Sequence, residues 1–124
     1  MIDIRIARPC PDLAVTTRFY TEGLGLEVLW QGSGEHDIVM LGRRDASWHL
    51  ELVGTTDAVP APSAEDLLVL YLGGPVDDDL VRRIVAAGGR RVAQSDYWDR
   101  WGVTFEDPDG YRLVLSTRTW SNAA

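Results

Sequence analysis

His49 and Glu51 are the residues whose types and spacing could do chemistry together. They lie two apart in W-H-L-E-L, residues 48–52, and side chains two apart on a β-strand point to the same face. A histidine beside a carboxylate fits half of a metal site, a general acid/base pair or a hydrogen-bonded polar patch. The choice among these roles depends on the partners that the rest of the chain supplies.

A repeated pattern of elements would position this pair. The first half reads as β-α-β-β-β, with a helix from Leu13 to about Glu22 capped by Asp12. The second half repeats it, with Pro75 near the start of the helix and Gly88-Gly89 at its end. The predicted strands are 2–8, 26–30, 37–41, 48–52, 67–72, 91–94, 102–106 and 111–116. We therefore predict one α+β domain over 1–124, with units at about 1–57 and 65–118 and a stiff linker at about 58–64.

Superposing the two units compares the polar pair with its own repeat. H-L-E-L (49–52) aligns with R-L-V-L (112–115). Arg112 then corresponds to His49, and Val114 corresponds to Glu51. We expect Arg5 or Arg112 to complete a hydrogen-bonded group with the pair.

Composition excludes several classes of function. The net charge is −7, and all 12 basic residues are arginine, which argues against binding to nucleic acid. Cys10 is the single cysteine and lies between two prolines, so we interpret it as a loop thiol rather than a nucleophile. No apolar run reaches membrane-spanning length and the N-terminus lacks a signal-peptide pattern, so we expect a cytoplasmic protein without a membrane partner.

The repeated units and two motifs resemble the vicinal oxygen chelate superfamily, the group of glyoxalases, bleomycin-resistance proteins and extradiol dioxygenases. The motifs are R-F-Y-T-E-G-L-G-L (18–26) and F-E-D-P-D-G-Y-R-L-V-L (105–115). The resemblance covers essentially the whole chain. It implies two facing curled sheets around a cleft, and a homodimer in which both chains often contribute to each cleft.

The same resemblance implies where a divalent metal would bind. Metalloenzymes of the superfamily place His or Glu ligands on the first and last strand of each unit. The corresponding positions here are Ile4 or Arg5, Glu51, Leu67 or Leu68, and Val114. Glu51 is the only family-type ligand retained, and a catalytic zinc or iron site normally uses three. We therefore expect no cofactor and no metal.

Aromatic residues supply the surfaces that a binding cleft needs. The chain has five tryptophans, and Y-W-D-R-W (97–101) is predicted to lie at the cleft mouth. Trp98 and Trp101 fit ligand contact or a subunit interface, and Trp30 fits the ligand or the core equally. The predicted ligand-binding residues are Arg5, Trp30, His49, Glu51, Tyr97, Trp98, Trp101, Arg112 and Val114.

These observations favour a metal-independent binding protein that sequesters a planar or aromatic natural product or drug, as resistance proteins of the superfamily do. The alternative is a metal-dependent lyase, isomerase or dioxygenase of the glyoxalase type, with Glu51 and His49 as its catalytic residues. A third interpretation is an interaction module whose cleft is vestigial. The identity of the ligand does not follow from the sequence.

Overall fold

The computed structural model describes residues 2–123 and confirms the α+β fold of two tandem units. The elements of the first unit are β1 (Ile4–Cys10), α1 (Leu13–Arg18), β2 (Glu27–Ser33), β3 (Asp37–Gly42) and β4 (Trp48–Gly54). The elements of the second unit are β5 (Leu67–Tyr71), α2 (Asp78–Ala86), β6 (Arg90–Val92), α3 (Asp96–Arg100), β7 (Gly102–Glu106) and β8 (Arg112–Ser116).

Each unit folds into a sheet of four strands, and the two sheets have the same topology. Their strand orders are β1-β4-β3-β2 and β5-β8-β7-β6. The first and last strands of each unit pair in parallel, and the other pairs are antiparallel. The parallel pairs place strands distant in sequence side by side, which the local pattern alone does not specify.

The first helix differs from its predicted form. Its α-helical part begins after Asp12, whose carboxylate accepts a hydrogen bond from the Val15 amide at 3.2 Å, and it ends at Arg18. The chain continues as a π-helical turn, Phe19–Gly23. This wider turn lets two consecutive aromatic residues, Phe19 and Tyr20, both enter the core.

Gly23 lets the π-helical turn pack closely against α2. A Cβ atom at this position would lie 3.1 Å from the Cβ of Ala87 and 3.3 Å from the Cα of Ile84. Such a separation is tighter than ordinary van der Waals contact, so a larger residue would force the two helical segments apart.

Two predicted boundaries in the second unit are wrong. Helix α2 begins at Asp78, because Asp77 caps it by accepting the amide of Asp79 at 2.9 Å, and Pro75 therefore lies outside the helix. Strand β6 is shorter than predicted and ends at Val92. The structure also contains a helix that was not predicted: the segment 97–101 lies largely in α3, whose first turn is capped by Ser95.

One hydrophobic core joins the two units. It contains Leu41, Leu50 and Leu52 of the first sheet together with Phe105, Leu113 and Leu115 of the second, and Phe19, Tyr20 and Ile84 of the helical segments. Trp48 packs against this cluster, as its side of the strand predicts. Each sheet therefore has one face on the shared core and one face turned away from it.

Candidate functional site

His49 and Glu51 lie on the face of the first sheet that is turned away from the core, which we call the open face. The parallel register places Arg5 beside His49 and Ala7 beside Glu51. Across the antiparallel pairs, Met40 lies opposite Glu51 and Trp30 lies opposite Met40. Paired residues share a face of the sheet, so one row runs from Ala7 through Glu51 and Met40 to Trp30.

Arg5 links the polar end of the open face. Its Nε donates to His49 Nε2 at 3.1 Å, and its second terminal nitrogen donates to Met40 Sδ at 3.7 Å. The remaining terminal nitrogen lies 3.8 Å from a carboxylate oxygen of Glu51. The polar end is therefore a compact group in which Arg5 and Glu51 balance each other's charge.

The other end of the open face is apolar. The next row across the sheet contains Pro9, Val53, Ile38 and Gly32. The indole of Trp30 lies across Gly32, because a Cβ atom added at Gly32 would come within 2.7 Å of the ring atom Cζ2. Trp30 is 52% exposed, so it offers a flat apolar surface to solvent.

A pocket of about 330 Å³ continues this apolar end. Ala7, Pro9 and Val53 line it, and His36 and Asp57 contribute polar groups to its wall. A pocket of this size falls at the small end of the range for ligand sites, which combine an apolar lining with a few polar groups.

The corresponding face of the second unit is covered. The register aligns Val69, Val114 and Thr104 in the row that matches Ala7, Glu51 and Met40. Val114 is 0% exposed and Thr104 is 1% exposed, although both point away from the core. Asp99 of α3 lines the same small pocket as Thr104, so α3 lies on this side of β7.

The structure separates the predicted site residues into two groups. Arg5, Trp30, His49 and Glu51 share the open face, whereas Tyr97, Trp98, Trp101, Arg112 and Val114 belong to the second unit. Arg112 does not reach Glu51: it donates to the side-chain oxygen of Gln94 at 2.7 Å. Within residues 2–123 no hydrogen bond or ion pair joins the two groups.

The three aromatic residues around α3 have different surroundings. Tyr97 is half exposed and Trp98 is partly buried, and their rings meet edge to face at 5.1 Å. The guanidinium of Arg118 lies 4.5 Å from the ring centroid of Trp101. One face of Trp101 is therefore already occupied by a cation–π contact.

The donor set around Glu51 does not fit a divalent metal. Its neighbours on the adjacent strands are Ala7 and Met40, and the matching pair in the second unit is Val69 and Val114. Hard and borderline cations prefer carboxylate, imidazole and thiolate donors. In the part of the chain described, no three His, Cys, Asp or Glu side chains come together to hold an ion.

The sequence placed Ile4 or Arg5 on β1, and Leu67 or Leu68 on β5, at the ligand positions that the resemblance implies. Arg5 is a β1 side chain that reaches Glu51, at 3.8 Å. The residues paired with Glu51 and Val114 in the parallel register are Ala7 and Val69. None of these residues is a usual metal ligand, so Glu51 stays the one family-type ligand that the sequence predicts.

A buried polar network, which was not predicted from the sequence, joins the two units. Tyr20 donates to Asp107 at 2.6 Å, and Arg8 donates to the Tyr20 hydroxyl at 3.1 Å. The Arg8 guanidinium also lies 4.4 Å from the ring centroid of Tyr111. Asp107 further accepts the backbone amides of Asp109 and Tyr111. The sequence did mark both residues, because Tyr20 lies in the motif 18–26 and Asp107 lies in the motif 105–115.

Burial controls the ionisation of this region. It raises the pKa of the Asp107 carboxyl, against the opposing effect of the Tyr20 hydrogen bond. Burial also raises the pKa of the Tyr20 hydroxyl well above its ordinary range. The pKa of the Cys10 thiol is raised strongly by burial and then by the charge of Asp109, which disfavours the thiolate that a nucleophile requires.

The fold is similar to that of antibiotic-binding and fosfomycin-resistance proteins. TnmS3, an antibiotic binding protein from Streptomyces sp. CB03234, has a TM-score of 0.65 at 22% identity, covering 96% of both chains. FosX, a fosfomycin resistance protein of Listeria monocytogenes whose structure contains Mn(II), has a TM-score of 0.70 at 16% identity, covering 93% of this chain and 90% of FosX. At these identities the likeness concerns the fold.

The chain belongs to the YycE-like family. The family's N-terminal domain matches residues 4–53 and its C-terminal domain matches residues 65–117. YycE of Bacillus subtilis (strain 168), an uncharacterized protein, is 40% identical over 120 residues, which cover 90% of this chain and 85% of YycE. The crystal structure of a YycE protein from Bacillus subtilis has a TM-score of 0.87 at 34% identity, covering 98% of this chain and 93% of that one.

Among residues 2–123 no helix is long and apolar enough to cross a membrane.

Proposed function

We propose that this protein binds a planar or aromatic small molecule on its open face, without a metal ion, and sequesters it unchanged. The observation that carries the proposal is the layout of this face. An Arg5–His49–Glu51 group lies on β1 and β4, and the row from Glu51 leads across β3 to the Trp30 surface on β2, while an apolar pocket lies against β1 and β4. A flat apolar surface beside a few fixed polar groups is the composition of a small-molecule site.

The comparisons support the same class of function. Proteins of this fold include a glyoxalase/bleomycin resistance protein and an antibiotic binding protein, both from Streptomyces sp. CB03234. A protective role in the cytoplasm against a natural product or drug extends the proposal to biology. Binding without turnover agrees with the environment of Glu51, whose neighbours Ala7 and Met40 supply no second hard ligand.

We further propose that two chains associate as a homodimer. The open face is turned away from the shared core, so a second copy would be needed to cover it and close a cleft. A second observation concerns the other side of β1. Ile4 and Ile6, which lie opposite to Arg5 and Ala7 on this edge strand, are 52% and 41% exposed, and Ile2 just before the strand is 80% exposed. Clustered exposed apolar side chains of this kind favour association. Light scattering coupled to size-exclusion chromatography is expected to give twice the chain mass, and a monomer at micromolar concentration would contradict the homodimer.

Native mass spectrometry of protein purified from its own host tests the proposed function. We expect each chain to carry one small organic molecule and no stoichiometric metal ion. Zinc, nickel, manganese or iron that resists dialysis and supports turnover would instead establish the metal-dependent enzyme of the glyoxalase type.

A further inference from the structure

Glu51 is a partly buried carboxylate whose oxygens still reach solvent. Its side chain is 13% exposed. Among residues 2–123 no N–H or O–H group donates to it, and its contact with Arg5 at 3.8 Å is an ion pair without a hydrogen bond. A donor on a ligand can therefore take the place of the water that reaches this carboxylate.

Arg5 cannot turn to Glu51 without giving up other contacts. Its Nε is committed to His49 and one terminal nitrogen is committed to Met40. These two contacts leave the remaining terminal nitrogen 3.8 Å from Glu51. The carboxylate therefore keeps acceptor capacity for a donor on a ligand.

The charges around Glu51 disfavour an anion at this acceptor. A ligand carboxylate placed against Glu51 would be repelled by it and by the net charge of −7. A ligand O–H or N–H meets no such repulsion and supplies the hydrogen that the carboxylate accepts.

We propose that the open face selects planar ligands that bear an O–H or N–H donor, which Glu51 accepts while the ring system lies against Met40 and Trp30. The row Glu51–Met40–Trp30 crosses three adjacent strands, a distance of about 10 Å at the usual strand spacing. A fused two-ring or three-ring phenol spans this distance. This inference rests on the proposed function and narrows it to a ligand class.

Calorimetric titration with matched naphthalenes tests the inference. The probes are 2-naphthol, which carries the donor, 2-methoxynaphthalene, which replaces the donor by an ether, and 2-naphthoate, which is an anion. We expect 2-naphthol to bind the wild-type protein about tenfold more tightly than 2-methoxynaphthalene, because a hydrogen bond to a charged acceptor is lost in the ether. The anion is expected to bind most weakly.

The variant Glu51→Leu removes the acceptor and keeps a similar volume. We expect it to bind 2-naphthol and 2-methoxynaphthalene equally, with circular dichroism and thermal melting confirming that it is folded. Equal affinities of both probes for the wild-type protein would overturn the donor inference and leave the binding function standing, and this comparison requires no variant. Tightest binding of 2-naphthoate would also overturn it. If none of the three probes bound, both the inference and the proposed function would be contradicted.

Discussion

The hydroxyl of Tyr20 donates a hydrogen bond of 2.6 Å to Oδ2 of Asp107, across 87 positions of the sequence. Both residues are buried, at 1% and 5% exposure. The bond ties the π-helical turn of the first unit to the turn between the last two strands of the second. The two motifs that identify the superfamily in the sequence therefore meet in the core, where they hold the units together.

Tyr20→Phe is expected to destabilise the fold by about 1–3 kcal/mol, the usual effect of removing one partner from a buried polar group. The substitution leaves Oδ2 of Asp107 without its side-chain donor and Arg8 without its acceptor. Urea unfolding followed by circular dichroism measures the change. Tyr97→Phe is the control, because Tyr97 is 52% exposed. Equal unfolding midpoints for the two variants would show that the network contributes nothing.

The stability of the wild-type protein relative to Asp107→Asn is expected to rise as the pH falls from 7 to about 4. Burial raises the pKa of Asp107 in the folded chain, so the folded state binds this proton more tightly than the unfolded state does. The carboxyl therefore adds stability as the pH falls through the folded pKa toward the ordinary value of 3.8.

Urea unfolding of both proteins across this pH range gives the difference between their free energies of unfolding. The amide of the variant does not titrate, and all other titrating groups are the same in the two proteins. The pH dependence of the difference therefore reports on Asp107 alone. Parallel stability curves would mean that Asp107 has the same pKa in the folded and the unfolded chain.

Gly32→Ala is expected to weaken the binding of 2-naphthol about two- to tenfold, the value of one aromatic stacking contact. A methyl group at Gly32 overlaps the ring of Trp30, so the indole must leave its place on the open face. Gly34→Ala is the matched control, since a Cβ atom there meets nothing within 4 Å. Calorimetric titration compares the two variants, and identical affinities would exclude Trp30 from the site.

Local patterns predicted much of the fold. Alternation along W-H-L-E-L placed His49 and Glu51 on one face and Trp48 toward the core, and the repeat identified Val114 as the counterpart of Glu51. Arg5, one of the two arginines predicted as a partner, contacts both His49 and Glu51. These features depend on residues close in sequence or on the similarity of the two units.

The remaining features depend on contacts between distant segments. Pairing Ala7 with Glu51 requires the register of two parallel strands more than 40 residues apart, which no local pattern specifies. Helix α3 directly precedes β7 in the sequence, but the helix itself was not predicted, and it keeps Trp98 and Trp101 on the second unit, away from the open face. Arg112 lies on the second sheet, where it donates to Gln94 on the segment leading to α3, and it does not pair with Glu51.

The most direct test of the central claim is a calorimetric titration of the wild-type protein with 2-naphthol, before and after exhaustive dialysis against EDTA. We predict saturable binding with one site per chain, the same affinity in both preparations, and 2-naphthol recovered unchanged. Binding that disappears with EDTA and returns with added zinc or manganese would contradict the account, as would chemical conversion of the probe.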